Sequence, residues 1–164
     1  MSHPRDQEIE TSFALLVTSD SRSLREDKTG ALAVKLIEEA GHKVTKRDIT
    51  PNDPELIKKW LEDEIDCGAH VIITSGGTGI GSVDQTVDTA KSLFMKELPG
   101  FGEHFRRLSY KEVGIPGLMS RASAGIVDKK IIFCLPGSSG AMRTALEEII
   151  LPGVGHMLWE LNRR

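Results

Sequence analysis

The residues best suited to chemistry lie in the run Thr74-Ser75-Gly76-Gly77-Thr78-Gly79-Ile80-Gly81-Ser82-Val83-Asp84-Gln85-Thr86. It follows a short apolar strand, Val71-Ile72-Ile73, and the pattern after it predicts a helix. Glycines let the main chain adopt φ > 0 and let a ligand approach its N–H groups. A helix N-terminus adds unpaired N–H groups and the positive end of a dipole. Together these suit an anion, most often a phosphate. Asp84 would repel a bare phosphate but is sensible if a divalent cation stands between them. The run reads as a nucleotide or phosphoester site.

Two familiar nucleotide motifs are excluded. Gly76 and Gly81 have P-loop separation, but Ser82-Val83 stand where Lys and Ser/Thr are required. Gly77, Gly79 and Gly81 give G-x-G-x-G rather than G-x-G-x-x-G, and the turn follows a third strand, not a first. That order also disfavours a nicotinamide-dependent dehydrogenase.

The elements that position this turn follow from periodicity. Residues 13–18 read as a buried strand ending in Ser19-Asp20-Ser21-Arg22. Residues 29–41 read as a helix with Ala33, Leu36, Ile37 and Ala40 on one face and Gly41 as its stop. Residues 44–49 form the second strand. Asp53 as N-cap and Pro54 at the first helical position start a helix whose buried face is Leu56, Ile57, Trp60, Leu61 and Ile65. Residues 70–74 deliver the glycine turn, which then opens a helix over 85–94.

Further on, a helix through Leu108 closes near Gly114, and residues 118–127 are expected as a short strand or hairpin. Residues 131–135 are the last core strand, leading into Pro136-Gly137-Ser138-Ser139-Gly140 and a helix over 141–150 that Pro152 interrupts. Alternating strands and helices at this spacing predict parallel βαβ units. The expected fold is a three-layer α/β sandwich with a mostly parallel central sheet. Residues 1–10 are expected to be a flexible tail, and residues 11–164 a single domain.

Composition bounds the function. The chain has 164 residues, 39% apolar and 27% charged, with a net charge of −3. Nothing global points to nucleic acid or an anionic membrane, so an anion site must be built locally. No stretch reaches the roughly 18 apolar residues of a membrane span, and the polar N-terminus has no hydrophobic signal core; a cytoplasmic location is expected. Cys67 and Cys134 match no zinc or redox spacing and read as plain thiols. The five histidines show no ligand spacing, and His104 and His156 read as structural or surface residues.

Parallel sheets bind ligands outside the carboxyl ends of their strands. Those ends carry Ser19-Asp20, Ser75-Gly76-Gly77-Thr78 and Pro136-Gly137-Ser138-Ser139, so two anion cradles share one rim. Asp84 and the Asn52-Asp53 pair are the candidate metal groups. Mg²⁺ needs only one or two carboxylates when waters and substrate phosphates complete its shell.

These motifs, in this order, resemble the molybdenum cofactor biosynthesis family that includes the MoaB and MogA proteins and the related domains of gephyrin. The resemblance rests on Thr18-Ser19-Asp20, Gly41-His42, Thr74 to Gly79 with Asp84, Leu98-Pro99-Gly100-Phe101-Gly102-Glu103, Ser120-Arg121-Ala122 and Leu135-Pro136-Gly137-Ser138. It covers residues 12–161, and Gly30, Phe105-Arg106 and Ala124-Gly125 look closer to the B-type branch.

The resemblance implies a molybdopterin-binding fold, a homo-oligomer (trimer or hexamer), and contact with the molybdenum-insertion protein of the pathway. It also implies transfer of AMP from Mg-ATP to the molybdopterin phosphate, with release of pyrophosphate. Carried over by position, Asp84 is the essential acid and the Mg²⁺ ligand. The second essential acid falls at Asn52 or at Asp53. Ser75, Gly76, Gly77, Thr78 and Gly79 would cradle phosphate, and Ser19 and Asp20 would stand on the same rim. Pro136, Gly137, Ser138 and Ser139 would hold the pterin end, and Arg121 would add counter-charge. The alternative is a catalytically silent molybdopterin-binding carrier or scaffold. A further expectation is that 98–102 and the turn bearing Met157, Leu158, Trp159 and Leu161 expose apolar surface for assembly.

Overall fold

The computed structural model describes residues 9–163, the side chain of Cys67 excepted. The expected tail thus lies outside the described residues over 1–8, as does the reading of the Cys67 thiol. Among the described residues, six strands form one sheet in the order β2-β1-β3-β6-β5-β4. They are β1 (Ser12–Thr18), β2 (Lys43–Thr50), β3 (Val71–Ser75), β4 (Lys96–Glu97), β5 (Ser123–Val127) and β6 (Lys130–Leu135). The first four in spatial order are parallel; β5 runs antiparallel to β6, and β4 antiparallel to β5. This is the expected three-layer α/β fold with a mostly parallel sheet.

Alternation along the buried strands feeds two cores. Phe13, Leu15, Ile73, Ile131 and Phe133 point into one, covered by α1 (Lys28–Glu39), α4 (Pro99–Val113), α6 (Ser139–Ala145) and α7 (Leu151–Asn162). Ala14, Leu16, Ile72 and Ile132 point into the other, covered by α2 (Pro54–Cys67) and α3 (Thr86–Lys91). Each large aliphatic buried this way stabilises the fold by roughly 1.5–3 kcal/mol.

Register sets the functional rim. Val17 lies opposite Ser75, Ser75 opposite Leu135, and Thr18 opposite Thr50. The parallel strands therefore stop almost level, and their outgoing loops meet. Asp53 caps α2 as expected, accepting from the N–H of Glu55 and of Leu56 at 2.9 and 3.2 Å.

Several expectations are corrected. The helix expected over 85–94 is present but shorter: α3 begins at Thr86 and ends at Lys91, its preceding residue Gln85 makes no side-chain cap, and the N–H groups of Gly77 to Gly79 lie too far ahead of it to belong to its first turn. Residues 118–127 divide into the end of a short helix, α5 (Ile115–Met119), and strand β5, whose hairpin partner is β6. Leu56 is 47% exposed, because Ile57, Trp60 and Leu61 already fill the facing stripe. Ala40 is exposed because α1 has ended at Glu39.

Pro152 does not interrupt the last helix. A π-helical turn at Leu146–Ile150, closed by the N–H of Leu151 to the Leu146 carbonyl, shifts the register. Pro152 then falls in the first turn of α7, where a missing N–H costs nothing. Phe101 is not assembly surface either. It is 7% exposed, lies 5.9 Å from the Phe105 ring, and meets Phe133 edge-on at 5.0 Å. Met157, Leu158 and Leu161 pack half-buried against the core.

Candidate active site at the strand ends

The loop after β3 owes its path to two glycines. Gly76 and Gly77 take φ of 104° and 68°. A Cβ at Gly76 would stand 2.8 Å from the Thr18 carbonyl oxygen, and one at Gly77 would run into the Thr86 hydroxyl. The Gly76 N–H donates to the Leu135 carbonyl at 2.9 Å, tying the loop to β6. Among the described residues nothing accepts from the N–H groups of Gly77, Thr78 and Gly79. These donors are made by the loop itself and not by a following helix.

Asp84 sits half-buried against this loop. Its Oδ2 accepts from the Gly81 N–H at 2.9 Å, and a Cβ at Gly79 would come within 2.7 Å of the same oxygen. The carboxylate is therefore pressed against the glycine backbone, with Oδ1 left for a cation. One fixed carboxylate beside free N–H groups fits Mg²⁺, whose remaining ligands come from waters and phosphates.

Arg121 holds the loop in place. Its N–H donates to the Thr78 carbonyl at 2.8 Å, its Nε to the Gly79 carbonyl at 2.9 Å, and its Nη2 to the Asp84 carbonyl at 2.9 Å. Nη1 meets both oxygens of Asp88, at 2.9 and 3.0 Å. That guanidinium holds the Asp88 carboxyl below its usual 3.8, chiefly through these hydrogen bonds. The Arg121 charge is thus engaged with the loop and Asp88, which gives it a positioning role the sequence did not disclose.

The loop after β6 lies beside the first. A Cβ at Gly137 would be 3.6 Å from the Gly76 Cα. Ser138 caps α6, its Oγ accepting from the Ala141 N–H at 3.1 Å. Thr29 at the start of α1 donates to the Gly137 carbonyl at 3.1 Å and lies 3.1 Å from the Ser139 hydroxyl. The Ser75 hydroxyl is buried and turned toward the Pro136 carbonyl at 3.4 Å.

On the β1 and β2 side, Asp20 accepts from the Asn52 N–H at 2.8 Å and from its Nδ2 at 3.1 Å. Those bonds, the backbone one first, lower the Asp20 pKa. Position 52 thus presents an amide to the rim, while Asp53 is engaged as a helix cap. A cavity of about 520 Å³ is lined here by Ser19, Asp20, Arg22, Asn52, Ser75 and Gly137, among others. Arg22 was not singled out from sequence. Among the described residues no acceptor meets its guanidinium, so it stands available to an anion.

A second cavity, about 530 Å³, opens on the other side of Ser138. Thr78, Gly79 and Ile80 form one wall, Val113, Pro116 and Met119 another, and Glu112 lies among them. Apart from Glu112 the lining is uncharged. The two cavities share Ser138, so one elongated ligand could occupy both. Asp84 flanks the glycine loop that borders the second cavity.

His42 and His70 have structural roles. His42 Nδ1 accepts from the Thr11 N–H, and His70 Nδ1 pairs with the Ser12 hydroxyl at 2.8 Å. Burial pushes the Cys134 thiol up to about 11, which makes it inert at neutral pH.

An α/β domain with two glycine-rich loops meeting on one strand rim is the class these features define. Residues 14–156 match the family model described as "Probable molybdopterin binding domain". A molybdenum cofactor biosynthesis protein B from Bacillus cereus is 39% identical, with 99% of this chain and 97% of that protein covered. The crystal structure of a molybdenum cofactor biosynthesis protein B superposes with a TM-score of 0.91 at 40% identity, covering 95% of this chain and 98% of the other. The tungsten cofactor synthesizing protein MoaB from Pyrococcus furiosus gives 0.85 at 37% identity, covering 96% and 100%. The chain belongs to the MoaB family of molybdenum cofactor biosynthesis proteins. Among the described residues, no helix is long and apolar enough to cross a membrane.

Proposed function

We propose that the chain is a molybdopterin adenylyltransferase, moving AMP from ATP to the terminal phosphate of molybdopterin and releasing pyrophosphate. The observation that carries this reading is the free N–H row of Gly77 to Gly79 beside a fixed Asp84, between two cavities that meet at Ser138.

A phosphate monoester is largely a dianion at pH 7, its second pKa being about 6. The nucleophile needs no strong base; the obstacle is bringing two polyanions together. Positioning and charge neutralisation must therefore supply most of the rate. The N–H groups of the glycine loop donate to phosphate oxygens, and Asp84 holds Mg²⁺ rather than removing a proton. When bound, Mg²⁺ supplies charge neutralisation on the phosphates. Arg22, which lines the cavity with no acceptor on its guanidinium among the described residues, supplies a cation from the β1 side, and the loop of residues 136–139 borders the pterin end.

The test is incubation with molybdopterin, ATP and Mg²⁺, reading adenylylated molybdopterin and pyrophosphate. Asp84→Asn should lower turnover by about a hundredfold or more while leaving the melting temperature near that of the parent. Turnover close to the parent's would remove the metal-holding role.

One observation favours the second reading, a catalytically silent molybdopterin carrier: Asn52 faces the rim with an amide, and Asp53 is engaged in capping. Tight molybdopterin binding without product would establish it. The assembly implied by kinship is part of the same proposal. We assign it to the exposed apolar side chains of Ile115 and Leu118 on α5. Light scattering should give a multiple of the 18.0 kDa chain mass, and a single-chain mass would refute it.

A further inference from the structure

We propose that Glu112 is a specificity-determining residue that reads the hydrogen-bonding edge of the ligand's heterocycle; this rests on the adenylyltransferase reading of the same rim. Glu112 lies near the end of α4 and lines the 530 Å³ cavity, otherwise walled by uncharged groups such as Ile80, Val113, Pro116 and Met119. Such walls suit the faces of a flat heteroaromatic ring, with a few polar groups left to fix its orientation.

The Glu112 side chain is not loose in that cavity. The Thr144 hydroxyl donates to Oε1 at 2.8 Å and lies 3.1 Å from Oε2. Thr144 is itself only 6% exposed, so the anchor belongs to the packed body of α6. One hydroxyl hydrogen uses one of the carboxylate's four or so lone-pair positions. The others accept and cannot donate.

An acceptor-only group with two oxygens selects a ligand edge that presents two adjacent N–H donors. The 2-amino-4-oxopyrimidine edge does this, through the ring N–H and the exocyclic amine. A pterin carries that edge, and so does guanine. Adenine does not, because its amine stands beside ring acceptors that a carboxylate would repel. Glu112 would therefore admit the pterin and reject the adenine, orienting molybdopterin relative to ATP on a rim that otherwise offers both ligands similar phosphate cradles.

The experiment measures binding rather than turnover. Parent and Glu112→Gln are each titrated with molybdopterin without nucleotide, then separately with Mg-ATP, and their melting temperatures are compared. Glutamine keeps an oxygen for Thr144 but replaces the other by a donor. Molybdopterin should bind the variant about tenfold to a hundredfold more weakly, as expected for losing a charge-assisted hydrogen bond and adding a donor clash. Mg-ATP affinity should stay within about twofold.

Thr144→Val keeps the carboxylate without its anchor, and should weaken molybdopterin by a smaller factor. It supplies the comparison if Glu112→Gln folds poorly. Unchanged molybdopterin affinity in both variants overturns the assignment while leaving the adenylyltransferase reading intact. GMP binding the parent as tightly as molybdopterin would make the ligand a guanine nucleotide and overturn the pterin assignment. A parent that binds no molybdopterin removes the underlying reading itself.

Discussion

The loops after β3 and β6 are close in composition and lie side by side, yet their shapes have different origins. The β6 loop is locally determined: Ser138 caps the helix that starts one residue later, and Thr29 secures the Gly137 carbonyl. The β3 loop has no such helix to lean on, since α3 begins only at Thr86. Its shape is imposed from the side by Arg121, which reaches it from the entry to β5, and by the Asp84 carboxylate folded back on Gly81. A loop shaped by its own helix survives damage elsewhere in the chain. A loop shaped by a distant side chain is coupled to it, and here the coupled loop bears Asp84, the carboxylate the proposed reaction would use.

Replacing Arg121 by Ala should expose this difference most strongly. Two loop carbonyls, those of Gly79 and Asp84, lose hydrogen bonds from the guanidinium, and Asp88 loses its partner, while the backbone N–H of residue 121 still reaches the Thr78 carbonyl. Hydrogen bonds to charged groups contribute roughly 1.5–3 kcal/mol each when buried, and less here because Arg121 is about a third exposed. Turnover should fall by about two orders of magnitude, with Mg-ATP affinity falling in parallel and the fold retained by circular dichroism. Arg121→Lys should recover only part of that activity, because a point charge cannot serve three directions at once. Full activity in Arg121→Ala would show that the glycine loop holds its own shape and would erase the contrast.

The same contrast explains what could be read from the chain before its structure. The sheet was legible because strands such as Val71-Ile72-Ile73 are saturated with β-branched residues and spaced by helical stripes. The rim was legible because parallel strands deliver their loops to one edge. Local caps such as Asp53 and Ser138 act within a few residues and leave a trace in sequence. Arg121 was marked through the resemblance as a counter-charge, but its clamp on the glycine loop leaves no local trace, because Gly79 is 42 positions away from it. Leu56 and Phe101 were misjudged for a related reason, since burial depends on what fills the facing stripe. Pro152 misled because a π turn upstream shifted it into a position where proline is harmless. Glu112 and Arg22 went unnoticed because a single charged residue on a helix end or loop normally means solvent; only the cavities beside them give them a task.

The smallest effect belongs to the self-made loop, and it sets the scale for the larger one. Ser138→Ala removes the Oγ that accepts from the Ala141 N–H. Loss of an N-cap typically costs about 1 kcal/mol, or a shift in melting temperature of about 2–4 °C for a chain of this length. The backbone of Gly137 should persist, because Thr29 and the neighbouring Gly76 still hold it. Turnover should consequently change by less than about threefold: Ser138 lines both cavities, but its hydroxyl is engaged with the helix cap, and the glycine-loop N–H groups proposed to face phosphate stay in place. The two variants can be compared as a ratio: activity lost against stability lost, measured by pyrophosphate release and thermal melting. Arg121→Ala should lose far more activity per degree than Ser138→Ala. Equal ratios would mean that both loops are merely parts of the fold, and that the long-range clamp has no special claim on the site.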